Sequence, residues 1–211
     1  MTMFKKAFEK LELDAVAVIL DAVNDHFDGG GFDPVETTIM AIDVPFYPGY
    51  KFLDITDASL SPARKRFALV KSGAGSVLSH VVVLDWTNEP IYILNQQAPI
   101  QLTPDNIAEY VRFFFTYVRG KHGRFIVTEN VDDINWKEDP PPQARKAITK
   151  MLLPVVLKEE KAGNFYLEIT MMFRDSLFKA DVEVQPNGLV SLSNEKLLVE
   201  DMPVRDDTFG Q

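Results

Sequence analysis

The stretch from Val155 to Val199 constrains the fold most. Within it Phe178, Ala180, Val182 and Val184 alternate with polar residues. That two-residue period is the mark of a strand with one covered face. Further apolar runs lie at 155–158, 165–173, 189–192 and 197–199. Between them stand turn signals at 159–163, Arg174-Asp175 and Pro186-Asn187-Gly188. Connections this short hold no crossover helix, so the strands form an antiparallel C-terminal β-meander.

Upstream, strand runs are broken by single helices. Phe4, Phe8, Leu11, Ala15, Val18 and Ala22 recur at spacings of three and four, which predicts an amphipathic helix over 4–22. A second stripe, Leu13, Val16, Leu20 and Val23, makes its later turns apolar nearly all round. Such a helix is buried, inside the fold or in a dimer interface. Asp28 and Gly29-Gly30-Gly31 end it. Strands are expected at 37–42, 50–55, 66–71 and 77–84, with 91–95 closing a hairpin across Asn88-Glu89-Pro90. Thr103 and Pro104 open a second helix that runs to Gly120. Its inward stripe is Ile107, Val111, Phe114 and Val118, beside an aromatic stripe of Tyr110, Phe113 and Tyr117. A strand follows at 125–131. Asp139-Pro140-Pro141-Pro142 is a break before a third helix with Ala144, Ile148, Met151 and Leu152 on one face. This order predicts an α+β fold: an N-terminal helix, mainly antiparallel sheet, two further helices and the meander. We expect one α+β unit over 1–211 that divides, if at all, into packed subdomains 1–138 and 139–204, with a flexible tail at 205–211.

The chain has no cysteine among 211 residues and a net charge of −9. Disulfides, thiolate metal sites and a Cys nucleophile are therefore excluded. The acidic balance opposes binding to nucleic acid and to anionic membranes. The opening Met1-Thr2-Met3-Phe4-Lys5-Lys6 is basic, but Glu9, Lys10, Glu12 and Asp14 interrupt any hydrophobic region behind it. These features predict a soluble, cytoplasmic protein of bacterial type.

Candidate sites are few. The acidic turn from Asn24 to Asp33 invites a calcium reading, but His26 and Val35 fall where an EF-hand loop needs oxygen ligands. The Gly/Ser-rich run Lys71 to Ser76 places its lysine first, the wrong order for a P-loop, and reads as a β-turn. His26, His80 and His122 show no metal-binding spacing, so no metal or cofactor is expected. The basic cluster Arg112, Arg119, Lys121, His122 and Arg124 suits a helix C-terminus, or an anion site with Arg119 and Arg124 as fork-shaped donors. The turn Pro45-Phe46-Tyr47-Pro48-Gly49-Tyr50 is either a binding loop or a wide connection over the sheet.

Two functions fit. The first is a non-enzymatic, adaptor- or chaperone-like protein that meets a protein partner or self-associates as a homodimer. Phe4, Phe8, Tyr110, Phe113 and Tyr117 would then form its interface. The alternative is a small-ligand protein or enzyme with a pocket between a curved sheet and a helix. His80, Asp85, Tyr117, Arg119 and Arg124 would supply its polar groups.

Overall fold

In a computed structural model, described over residues 3–73 and 78–205, the chain is α+β with two antiparallel sheets. Contacts divide it into two compact units. The N-terminal unit holds residues 4–85 and 89–101, and the C-terminal unit holds 86–88 and the chain from 102 onward. The proline run thus lies within the C-terminal unit and leads into a helix there.

The N-terminal unit is a meander of five strands in sequence order: β1 (Glu9–Lys10), β2 (Thr37–Asp43), β3 (Tyr50–Asp57), β4 (Arg64–Ser72) and β5 (Leu78–Leu84). One face carries Ile39, Ala41, Leu53, Ile55, Ala68 and Val70 against α1 (Leu13–Val23), which buries Val16, Leu20 and Val23. The helix predicted over 4–22 therefore begins only at Leu13. Phe4 and Phe8 mimic a helical stripe but belong to an aromatic cluster, with Phe4 6.2 Å from both Phe8 and Phe46 and Phe8 6.0 Å from Phe52. Between them and α1, Glu9–Lys10 pairs with Met40–Ala41 and holds the backbone extended. The buried stripe of α1 is the second one read from the sequence, and Leu13 and Val18 are exposed.

The loop after α1 is tied down rather than solvated. Asn24 accepts a bond from the Phe32 N–H and donates one to its carbonyl, and Phe27 and Phe32 pack edge to face. Arg64 donates to the carbonyls of Gly30 and Gly31 and lies over the Phe32 ring. The cation at this acidic turn is the chain's own guanidinium. Of the Gly/Ser run, residues 74–76 lie outside the described residues.

Residues 91–95, expected as a strand, form α2 (Glu89–Gln97) instead. Pro90 sits in its first turn, where a missing N–H costs nothing. Ile91, Leu94 and Asn95 point inward at helical spacing.

In the C-terminal unit, Thr103 starts a turn that becomes α3 (Ile107–Tyr117). The second sheet runs β10 (Val190–Val199), β9 (Ser176–Val184), β8 (Asn164–Phe173) and β6 (Ile126–Val127), with β7 (Val156–Lys161) also paired to β8. The turn read at 159–163 shrinks to Ala162-Gly163. Both residues have positive φ, 52° and 81°, which matches the twist of the strands they join. The runs at 189–192 and 197–199 merge into one bulged strand. Between β6 and β7 lies α4 (Pro142–Thr149), whose Ile148 packs with Leu152, Val131, Ile134, Met172, Leu177, Met202 and Val204. Met202 and Val204 are pinned by backbone bonds to Asp175 and by pairing with Trp136, so an ordered segment precedes the expected tail. Residues 206–211 lie outside the described residues.

Candidate functional site

Strand register creates the most concentrated chemistry in the N-terminal unit. Tyr50 on β3 pairs with Lys71 on β4, and Lys71 pairs with His80 on β5. Directly opposed residues share a face, so the three side chains form one row across the sheet. By alternation that row faces away from α1, because neighbouring Val70 is the residue packed on the helix side. The Tyr50 hydroxyl and His80 Nδ1 are 2.7 Å apart, and the rings meet edge to face at 5.9 Å. Lys71 Nζ lies 5.5 Å from the centre of the Tyr50 ring. Burial raises the Tyr50 pKa, so the phenol stays protonated and donates to Nδ1 when that nitrogen is bare.

Beside this row opens a cleft of about 320 Å³. One wall is the 44–50 turn, closed on itself by bonds from Tyr47 N–H to the Val44 carbonyl and from Tyr50 N–H to the Tyr47 carbonyl. Gly49 allows that turn, with φ +82°, and a Cβ there would meet Lys71 Cε at 3.6 Å, an ordinary contact. The other wall is the end of α2 and the segment after it, through Gln97, Ala98, Pro99 and Gln101. The two walls are stitched together twice. Gln101 N–H donates to the Phe46 carbonyl, and the Tyr47 hydroxyl donates to Asn95 Oδ1 at 2.5 Å. Asn95 is only 9% exposed, and its Nδ2 has no hydrogen-bond partner among the described residues.

Compared with protein families, curated proteins and solved structures, the chain matches none. Its function must be read from its own geometry.

The five expected ligand residues are divided between the two units, His80 and Asp85 in the N-terminal one and Tyr117, Arg119 and Arg124 in the C-terminal one. His80 joins the cleft-side row through Tyr50, and Asp85 lies just beyond β5, exposed and off the cleft wall. Tyr117, Arg119 and Arg124 belong to the C-terminal unit. There Tyr117 is buried against Phe113 and Trp86, and Arg119 lies 3.8 Å over the Trp86 ring while its N–H donates to the Trp86 carbonyl. Burial, then the charge of nearby Arg124, lowers the Arg119 pKa. The helix stops at Tyr117, before Arg119, whose guanidinium is the partner of an indole.

The expected interface residues are covered by the chain itself. Phe4, Tyr110, Phe113 and Tyr117 are buried and Phe8 is half-buried. The Tyr110 hydroxyl donates to the Gly188 carbonyl. The aromatic crowding of α3 thus makes no demand for a partner.

A second depression, about 350 Å³, lies on the outer face of the second sheet among Glu159, Tyr166, Asp181 and Glu183. Glu183 accepts from Asn164 and Tyr166, and Asp181 accepts from Asn194. The charge here is opposite to that of the first cleft. Next to it, Glu168 is held below the usual glutamate range by Lys179 and then Lys158.

Sequence reading marked the Tyr47 to Tyr50 turn and His80 but missed Lys71, Asn95, Gln97 and Gln101. Lys71 was legible only as the head of the Gly/Ser run. The amides were hidden because α2 reads as a strand.

Proposed function

We propose that the protein binds a small polar organic ligand in the cleft of its N-terminal unit. The observation that carries this reading is the convergence of Tyr50, Lys71 and His80 in one cross-strand row beside a cleft of about 320 Å³. That volume lies at the small end of the range for ligand sites, which are apolar with a few placed polar groups. Tyr47, Pro48, Ala98 and Pro99 give the apolar wall here, and Tyr50, Lys71, Gln97 and Gln101 give the polar groups. Bonds between backbone segments hold the walls, so binding costs little ordering of the protein.

A fragment screen followed by NMR on the full chain tests this. Ligands are expected to shift the resonances of Tyr50, His80 and Gln97 together. Ala98→Trp, which fills the cleft, is expected to abolish those shifts while the fold persists. Binding that survives Ala98→Trp unchanged places the ligand elsewhere and overturns the reading.

Self-association as a homodimer is a second reading. One observation favours it: α1 leaves Leu13 and Val18 exposed at 56% and 53%.

A further inference from the structure

We infer that the ligand of the N-terminal cleft is a small organic carboxylate whose flat apolar body lies along the tyrosine and proline wall. This deepens the cleft reading and rests on it. Four observations carry it.

The first is charge. The chain has 31 Asp and Glu residues against 22 Lys and Arg. Yet among the described residues no carboxylate lines this cleft, and Lys71 is its one charged group. The second depression, on the other sheet, is lined by three carboxylates and one lysine, so the first is not an average patch of this surface.

The second is the state of Lys71. On the two sheets Lys51 pairs with Asp43, Lys65 with Asp54, and Lys158 and Lys179 with Glu168, while Lys10, Lys161 and Lys196, like Lys71, have no carboxylate partner among the described residues. Lys71 instead rests beside the Tyr50 ring, and among the described residues no carboxylate pairs with it. A cation held beside an aromatic face keeps its remaining donors for an incoming anion.

The third is the donor set. The Gln97 amide makes no hydrogen bond within the described residues and stands on the wall facing Lys71 and Tyr50. An ammonium and an amide N–H match the two oxygens of a carboxylate. Tyr50 stays protonated through burial, so no phenolate competes with the anion for Lys71.

The fourth is the wall. Pro48, Ala98 and Pro99, over the almost fully buried Tyr47, are surfaces without charge, and they favour an organic body over a bare hydrated anion. A bare phosphate would leave that wall wet.

The test uses the full chain with benzoate as the probe, benzamide as its neutral isostere and inorganic phosphate as the bare anion. Binding is followed through the Tyr50 and His80 NMR signals. Benzoate is expected to bind at least about tenfold more tightly than benzamide, the worth of one charge-assisted hydrogen bond. Lys71→Gln is expected to remove that advantage and leave the benzamide affinity unchanged. Lys71 is exposed, so this variant keeps the fold. Equal affinity for benzoate and benzamide, or a benzoate affinity unmoved by Lys71→Gln, overturns the carboxylate inference and leaves the cleft reading standing. Phosphate binding as tightly as benzoate overturns the organic body. Failure of all three probes, with other fragments still blocked by Ala98→Trp, overturns the inference alone. Failure of every fragment overturns the cleft reading with it.

Discussion

Glu129 shows what a single charged side chain does for the C-terminal unit. Arg112 from α3 meets it with two parallel bonds of 2.8 Å, and the Val155 N–H donates to the same carboxylate at 2.8 Å. Burial works to raise the Glu129 pKa, but the Arg112 fork and the Val155 N–H outweigh it and hold it below the usual glutamate range. Removing one partner of such a pair leaves the other charge buried and costs about 3 kcal/mol or more. We expect Glu129→Gln to lower the urea midpoint accordingly at pH 7. The sign with pH follows from linkage. A carboxylate whose folded pKa lies below its unfolded value, about 4.3, stabilises fully above that value. The contribution fades as pH falls toward the folded pKa. The gap between wild type and Glu129→Gln should therefore shrink in urea titrations run below about pH 4.3. A gap that is flat with pH overturns the account. Arg64 plays the analogous part in the N-terminal unit, where it closes the Gly30-Gly31 turn and reaches Asp57 at 3.9 Å. Neither pairing is readable from sequence, because the partners lie 17 and about 33 residues apart.

At the scale of elements, α1 is the clearest case of a pattern with two solutions. Both of its apolar stripes fit a 3.6-residue period, and only packing on the sheet selects Val16, Leu20 and Val23. Leu20→Ala is expected to cost about 3 kcal/mol, the usual range for emptying a packed leucine site. Val18→Ser on the outer face is expected to stay within about 0.5 kcal/mol. Chemical denaturation of the two variants distinguishes them, and equal costs would mean that the burial is misassigned. The second case is α2. A short apolar run such as Ile91-Tyr92-Ile93-Leu94 has no period of its own that separates helix from strand. Here the helix brings Asn95 onto the Tyr47 hydroxyl and Gln97 to the cleft, geometry that a strand would not provide. The meander, by contrast, was legible. Residues 178–184 of β9 alternate, and the turns carry Gly188 and Gly163 at positive φ.

For the whole molecule, the net charge of −9 bears on self-association. Two copies repel at long range, and on α1 the exposed Asp14 and Asp21 stand beside Leu13 and Val18. If α1 pairs two copies, the dimer fraction measured by light scattering should rise as salt screens that repulsion. Val18→Asp should then restore the monomer. A monomer at every ionic strength removes the second reading. The amino-acid sequence by itself determined the α+β class, the antiparallel meander, the strands 37–42, 50–55, 66–71 and 77–84 to within a few residues, and the exclusion of cysteine chemistry. These depend on local periods, turn residues and composition, which act over a few residues. Only the tertiary structure decided which stripe of α1 is buried, that α3 is covered by its own chain, and that Tyr50, Lys71 and His80 stand in one row. Those facts depend on register and packing between residues far apart in the chain, and periodicity within one segment carries no information about which distant segment it will meet.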